Sequence, residues 1–162
     1  KKDRNYVRDV EVETDVEMLI PDDYINNIQE RLLLYTQLDG INDEEELTKF
    51  IDAMKDRFGP IPKPVKELFD GLRVRWICKK LGFERLSLKS NKLRCYFISN
   101  PQSSYFESEQ FQAILKYVSV GGQLKGYSLK QSRNYLLLIK DGVKGLKQAR
   151  VLLQDLHAEV QK

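Results

Sequence analysis

Apolar and polar positions along the 162-residue chain fall into two regimes, a helical period first and strand-like alternation later. Val10-Glu11-Val12-Glu13-Thr14-Asp15-Val16-Glu17-Met18 nearly alternates, which predicts a half-buried strand with an acidic outer face, ended by Ile20-Pro21. Asp22 or Asp23 is placed to cap a helix running to about Leu38, with Tyr24, Ile25, Ile28, Leu32 and Tyr35 as its apolar stripe. Gly40 stops that helix, and Asn42 with Glu45 reads as the capping box of a second one. Leu47, Phe50, Ile51, Met54 and Phe58 recur at helical spacing, and Gly59-Pro60 closes the element. The stiff Ile61-Pro62-Lys63-Pro64 turn leads into a third helix, striped by Val65, Leu68, Phe69, Leu72, Trp76 and Ile77 and ended by Gly82.

Beyond Gly82 the period changes. Phe83 to Leu88 and Leu93 to Ile98 alternate like strands around a Ser90-Asn91 turn, and Asn100 to Ser104 reads as a loop. Phe111, Ile114, Leu115 and Val118 mark a short helix ending near Gly121-Gly122. Leu124 to Leu129 and Tyr135 to Ile139 form a second strand pair, and Leu146, Ala149, Leu153, Leu156 and Val160 are the seam of a terminal helix. The order predicts an α+β fold rather than regular βαβ alternation: an N-terminal strand and a three-helix segment packed with a small mixed or antiparallel sheet and a C-terminal helix. The chain reads as a single domain, residues 1–162, with a lead-in strand (1–20), a helical part (21–82) and an α+β part (83–162).

Composition narrows the function classes. Hydrophobic residues make up 41% and charged residues 31%, a globular balance. The apolar runs Leu32-Leu33-Leu34-Tyr35 and Leu136-Leu137-Leu138-Ile139 fall far short of the roughly 20 residues of a membrane helix. The chain begins Lys1-Lys2-Asp3-Arg4, without an initiator Met or a secretory leader pattern, which suggests a fragment of a longer protein. With only Cys78 and Cys95 and no Cys-x-x-Cys spacing, a reducing cytoplasmic setting is expected. The net charge of +3 hides an asymmetry: residues 1–60 carry 16 acidic and 8 basic side chains, residues 61–162 carry 8 and 19. Such a field orients docking without saying anything of fold.

Candidate chemistry is sparse. His157 is the only histidine, so a histidine-based triad or a multi-histidine metal site cannot be built from this chain alone. Gly121 to Gly126 lacks the Gly-Lys-Ser/Thr ending of a phosphate-binding loop. Asp43 to Glu46 is explained by the helix dipole more simply than by a cation site. Cys78 and Cys95 read as core fillers, and the Tyr96/Phe97 pair, though reminiscent of base-stacking platforms, as core packing. The densest constellation is Asp52 to Gly59. Asp52 and Asp56 lie four apart on one helix face, with Arg57 beside them and Phe58 at the end of the apolar stripe. A solvated helix end and a charged docking rim around an apolar anchor both fit it. A nucleic-acid module built on the basic half is the alternative function.

Four short motifs then resemble a known family. Leu19-Ile20-Pro21-Asp22-Asp23-Tyr24-Ile25, Arg31-Leu32-x-x-Tyr35, Asp56-Arg57-Phe58-Gly59-x-x-Pro62 and Leu81-Gly82-Phe83 occur in order across residues 10–86. Together they resemble the C-terminal domain of bacterial transcription-repair coupling factors (the Mfd family). The resemblance implies a non-catalytic regulatory domain of a large ATP-dependent DNA translocase acting in transcription-coupled nucleotide excision repair. It implies no cofactor in this domain, since ATP and Mg belong to the parent's motor domains, and DNA contact through other parent domains. The domain would dock on the parent's UvrB-like N-terminal module and mask its UvrA-binding surface until RNA polymerase is engaged. The docking residue carried over is Asp56, with Arg57 beside it, and Asp52, four residues earlier on the same face, joins them as a candidate. The position three before Asp56, acidic in some members, is Ala53 here, so either Asp52 supplies the second carboxylate or the contact is held more weakly.

Overall fold

The computed structural model describes residues 6–122 and 125–162. The Lys1-Lys2-Asp3-Arg4 start and the Gln123-Leu124 part of the glycine-rich segment, where the pattern begins the fourth strand, lie outside the described residues. In chain order the elements are β1 (Glu11–Thr14), α1 (Ile28–Asp39), α2 (Glu44–Phe58), α3 (Lys63–Leu81), β2 (Phe83–Lys89) and β3 (Lys92–Phe97). A 3-10 turn at Ser104–Glu107 follows, then α4 (Glu109–Tyr117) with a π turn at Val118–Gly122, β4 (Tyr127–Gln131), β5 (Leu136–Asp141) and α5 (Leu146–Val160). The strands form one mixed sheet in the order β1-β2-β3-β5-β4. Only the β1–β2 pairing is parallel; the other three are antiparallel. The result is the α+β architecture that the sequence pattern predicts.

Two apolar cores share one helix. The larger lies under one face of the sheet, where Leu86, Leu88, Leu93, Cys95, Phe97 and Leu138 meet α4, α5 and the C-terminal half of α3. The smaller joins Leu38 of α1, Leu47 and Met54 of α2 and Val65, Phe69 and Leu72 from the N-terminal half of α3, together with Ile20, Ile25 and Ile41. Helix α3, 19 residues long, therefore runs through both. An ionic network ties it to its neighbours. Buried Asp70 accepts from Arg150 Nε of α5 at 2.7 Å and from Arg73 Nη1 at 3.2 Å. Arg73 in turn grips Glu44 of α2 with two bonds, 2.8 and 2.7 Å.

Local chemistry explains the turns. Ser90 and Asn91 take positive φ (52° and 59°), the tight hairpin conformation that joins β2 to β3. Gly82 ends α3 at φ +93°, and a Cβ there would lie 2.2 Å from the Tyr105 ring. That fully buried ring is held by a 2.7 Å bond from its hydroxyl to the Leu81 carbonyl. Burial pushes the Tyr105 phenol well above its ordinary pKa, so it stays a donor.

The helical part departs from the pattern at its entrance. Helix α1 begins at Ile28 rather than at Asp22 or Asp23, and its cap is Asn27, whose side chain accepts from Glu30 N. Pro21 to Ile25 forms a turn instead, with Tyr24 N and Ile25 N both bonded to the Pro21 carbonyl. From that turn Ile25 enters the core, so the stripe continues through Leu34, Tyr35 and Leu38, while Ile28 and Leu32 stay about 60% exposed. Helix α2 is capped by Asp43, bonded to Glu46 N at 2.8 Å, not by Asn42 with Glu45. The buried face of α2 is the expected one: Leu47 and Met54 are buried, and Phe50, Ile51 and Phe58 pack partly against them.

Candidate functional site

The end of α2 is tied by Tyr24 to the turn before α1, and Arg31 and Tyr35 brace that turn in place. Tyr24 donates its hydroxyl to the Gly59 carbonyl at 2.9 Å, and its ring meets Phe58 at 6.0 Å between centroids. Desolvation raises the Tyr24 pKa, which keeps it protonated for that role. Gly59 has φ +91°, a conformation that favours glycine after a helix, and its N–H bonds back to Lys55 O. Arg31 Nη1 donates to the Ile25 and Asn26 carbonyls at 2.7 and 3.1 Å, and Tyr35 accepts from Ile20 N at 2.6 Å. The motif residues Tyr24, Arg31, Tyr35, Phe58 and Gly59 thus build the frame of the smaller core.

On this frame the three candidate docking residues divide. Asp52 and Asp56 are exposed on the face of α2 opposite its buried stripe, and their carboxylates pair with no other described residue. They continue a row that starts with Glu45 and Lys49, which pair with each other at 3.7 Å. Arg57 is already engaged: its Nη2 lies 2.5 Å from Glu30 Oε2 of α1, and its guanidinium covers the Phe58 ring at 4.8 Å. Arg57 therefore braces α2 against α1, and Glu30, 27 residues earlier, is the residue that sequence reasoning missed. Nothing local in the sequence couples these two positions. Ala53 is exposed on the flank of the helix between the Asp52/Asp56 row and Arg57.

The other flank of α2 is basic. Lys55, Lys66, Lys147, Arg73 and Arg150 surround a groove of about 640 Å³ with Ile51, Ile61 and Phe69 on its walls. Both arginines are bonded to Asp70, whereas the three lysines form no ion pair among the described residues. The arrangement is an anionic ridge beside a cationic trough. Rigid display of two unpaired carboxylates, four residues apart, suits recognition of a cationic surface by contacts weak enough to reverse.

Known proteins resemble this chain in sequence and in fold. The family model described as the TRCF domain matches residues 14–108. A transcription-repair-coupling factor of Rickettsia bellii (strain RML369-C) is 33% identical over 102 residues, which is 63% of this chain and 8% of that protein. The Escherichia coli (strain K12) transcription-repair-coupling factor is 37% identical over 76 residues, 47% of this chain and 7% of that protein. The chain thus spans less than a tenth of the curated relatives it matches. Among solved structures, a crystal structure of the C-terminal domain of transcription-repair coupling factor superposes with a TM-score of 0.73 over 94% of both chains. At 19% identity that likeness establishes the fold alone.

Proposed function

This chain belongs to the TRCF domain family, and we propose that it is a non-catalytic regulatory domain of a transcription-repair coupling factor, a cover that docks on another part of the parent through the outward face of α2. The partner surface in this reading is the parent's UvrB-like module, and the hidden site is the one that UvrA would use. Engagement of RNA polymerase would release the cover. The observation that carries the reading is the pair of unpartnered carboxylates, Asp52 and Asp56, held on a helix whose end is fixed by Arg57–Glu30 and Tyr24–Gly59. Arg57 supports the surface and is not a free contact residue.

Energetics suit a reversible cover. Each exposed charge pair contributes about 0–1 kcal/mol, more where the interface excludes water. A few such contacts set a closed–open balance of a few kcal/mol, which a second partner tips by binding only the open state. With Ala53 in place of an acid, this chain has one fewer anionic contact on that flank and holds its partner less tightly than a family member with an acid there.

The test is a binding titration of this chain against the separately expressed UvrB-like module. The double charge reversal Asp52→Lys, Asp56→Lys is expected to weaken binding about tenfold or more, with two rim pairs lost. In the whole parent it should raise UvrA binding. Equal affinity for the wild type and the double variant, with both folded, overturns the assignment of this surface.

A further inference from the structure

Among the described residues, one face of the sheet has no helix on it. Helices α3, α4 and α5 pack on the other side, against Leu86, Leu88, Leu93, Cys95, Phe97 and Leu138. The strand register fixes what the free face displays. One cross-sheet row runs Glu11, Arg85, Tyr96, Leu137, Lys130, and the next runs Glu13, Ser87, Arg94, Ile139, Ser128. Tyr96, Leu137 and Ile139 belong to neither core. Tyr135, the residue just before β5, falls on the same face by strand alternation and meets Tyr96 edge-on at 5.4 Å. The Arg85 guanidinium lies over the Tyr96 ring at 4.2 Å. Arg94 and Lys130 have no ion-pair partner among the described residues.

We propose that this sheet face binds single-stranded DNA. Tyr135, half-exposed just before β5, offers a π-face to an unpaired base, and the Arg85 guanidinium stacked over Tyr96 of β3 offers a second planar surface on which a base can lie. Arg94 and Lys130 stand on either side of Leu137 and Ile139 and supply positive charge to a strand laid from β2 to β4. A duplex hides its base faces in the stack and gains nothing from the tyrosines. Half-exposed Ile139, beside the buried Leu137, gives the sugar an apolar contact that suits deoxyribose better than the 2′-hydroxyl of ribose. The acids Glu11 and Glu13 confine the strand to the β2–β4 side, away from β1. This site uses none of the α2 docking residues and stands whether or not that docking reading holds.

The experiment is a fluorescence-anisotropy titration of the 162-residue chain with a labelled 12-mer of mixed-sequence single-stranded DNA at low and moderate salt. The matching duplex, the RNA of the same sequence and a poly-glutamate peptide serve as competitors. Single-stranded DNA is expected to bind tightest. Tyr135→Ala and Tyr96→Ala should weaken it roughly 5- to 100-fold. Arg94→Gln should lower the slope of log affinity against log salt by about 0.7. Amide shifts of the wild-type chain should cluster at Arg94, Tyr96 and Leu137, a readout that needs no variant to fold. Shifts confined to the Lys55/Lys66/Lys147 groove, duplex or RNA competing as well as the single strand, or poly-glutamate displacing it at equal concentration would each overturn the proposal.

Discussion

Replacing Asp70 by asparagine removes one buried charge and almost no volume from the join between α3 and α5. The Asp70 side chain is 10% exposed, and one of its carboxylate oxygens accepts from both Arg150 Nε and Arg73 Nη1. In the variant both bonds change from charge-assisted to neutral, a difference of about 1 kcal/mol each. The full penalty for breaking a buried ion pair, about 3–5 kcal/mol, does not apply. Both arginine side chains keep about a fifth of their surface in water, and Glu44 still neutralises Arg73. The expected loss is therefore ~2 kcal/mol, a drop in Tm of about 4–8 °C for a domain of this size. Urea unfolding followed by Trp76 fluorescence and thermal melts followed by circular dichroism both measure it. The decisive form is a double-mutant cycle with Arg150→Gln. The two losses should fail to add by at least about 1 kcal/mol, and the coupling should persist at high salt because the pair is poorly screened. Strict additivity, or an unshifted melt in Asp70→Asn, refutes the network as a source of stability.

Gly82→Ala places a methyl inside the Tyr105 ring at a positive φ, so a loss of about 3 kcal/mol or more is expected by urea titration; Gly59→Ala, equally positive in φ but with open space around it, should cost nearer 1 kcal/mol. Glu67 has a buried oxygen, Oε2, without a partner, and desolvation followed by Asp70 raises its pKa. A raised carboxyl pKa means the folded state holds the proton longer, so stability falls as pH rises from the unfolded value towards the folded one. Glu67→Gln should therefore stabilise the chain at pH 7 and lose that advantage near pH 4, and a pH-independent difference between the two melting curves would contradict this.

Legibility of the sequence followed the contrast between neighbouring positions. Helix α2 was readable because its apolar residues fall on one side and charges on the other. Helix α1 was not, because Ile28, Leu32 and Leu33 are as apolar as Leu34 and Leu38, and only the fold decides which set is covered. Likewise Leu136 to Ile139 is one unbroken apolar run, so its alternation between the two sheet faces is invisible until β3 and β4 supply the register. Asp52 and Asp56 could be placed on a shared face from spacing alone. The commitment of Arg57 to Glu30, and of Asp70 to Arg150 80 residues away, depends on which helices lie side by side. Spacing rules reach one helical turn and no farther.

The passage of α3 through both cores has a mechanical consequence. A rod clamped along its whole length leaves no hinge between the part bearing the α2 ridge and the part bearing the sheet. On the docking reading, a partner that grips the sheet end would lift the α2 contact in one movement instead of peeling it.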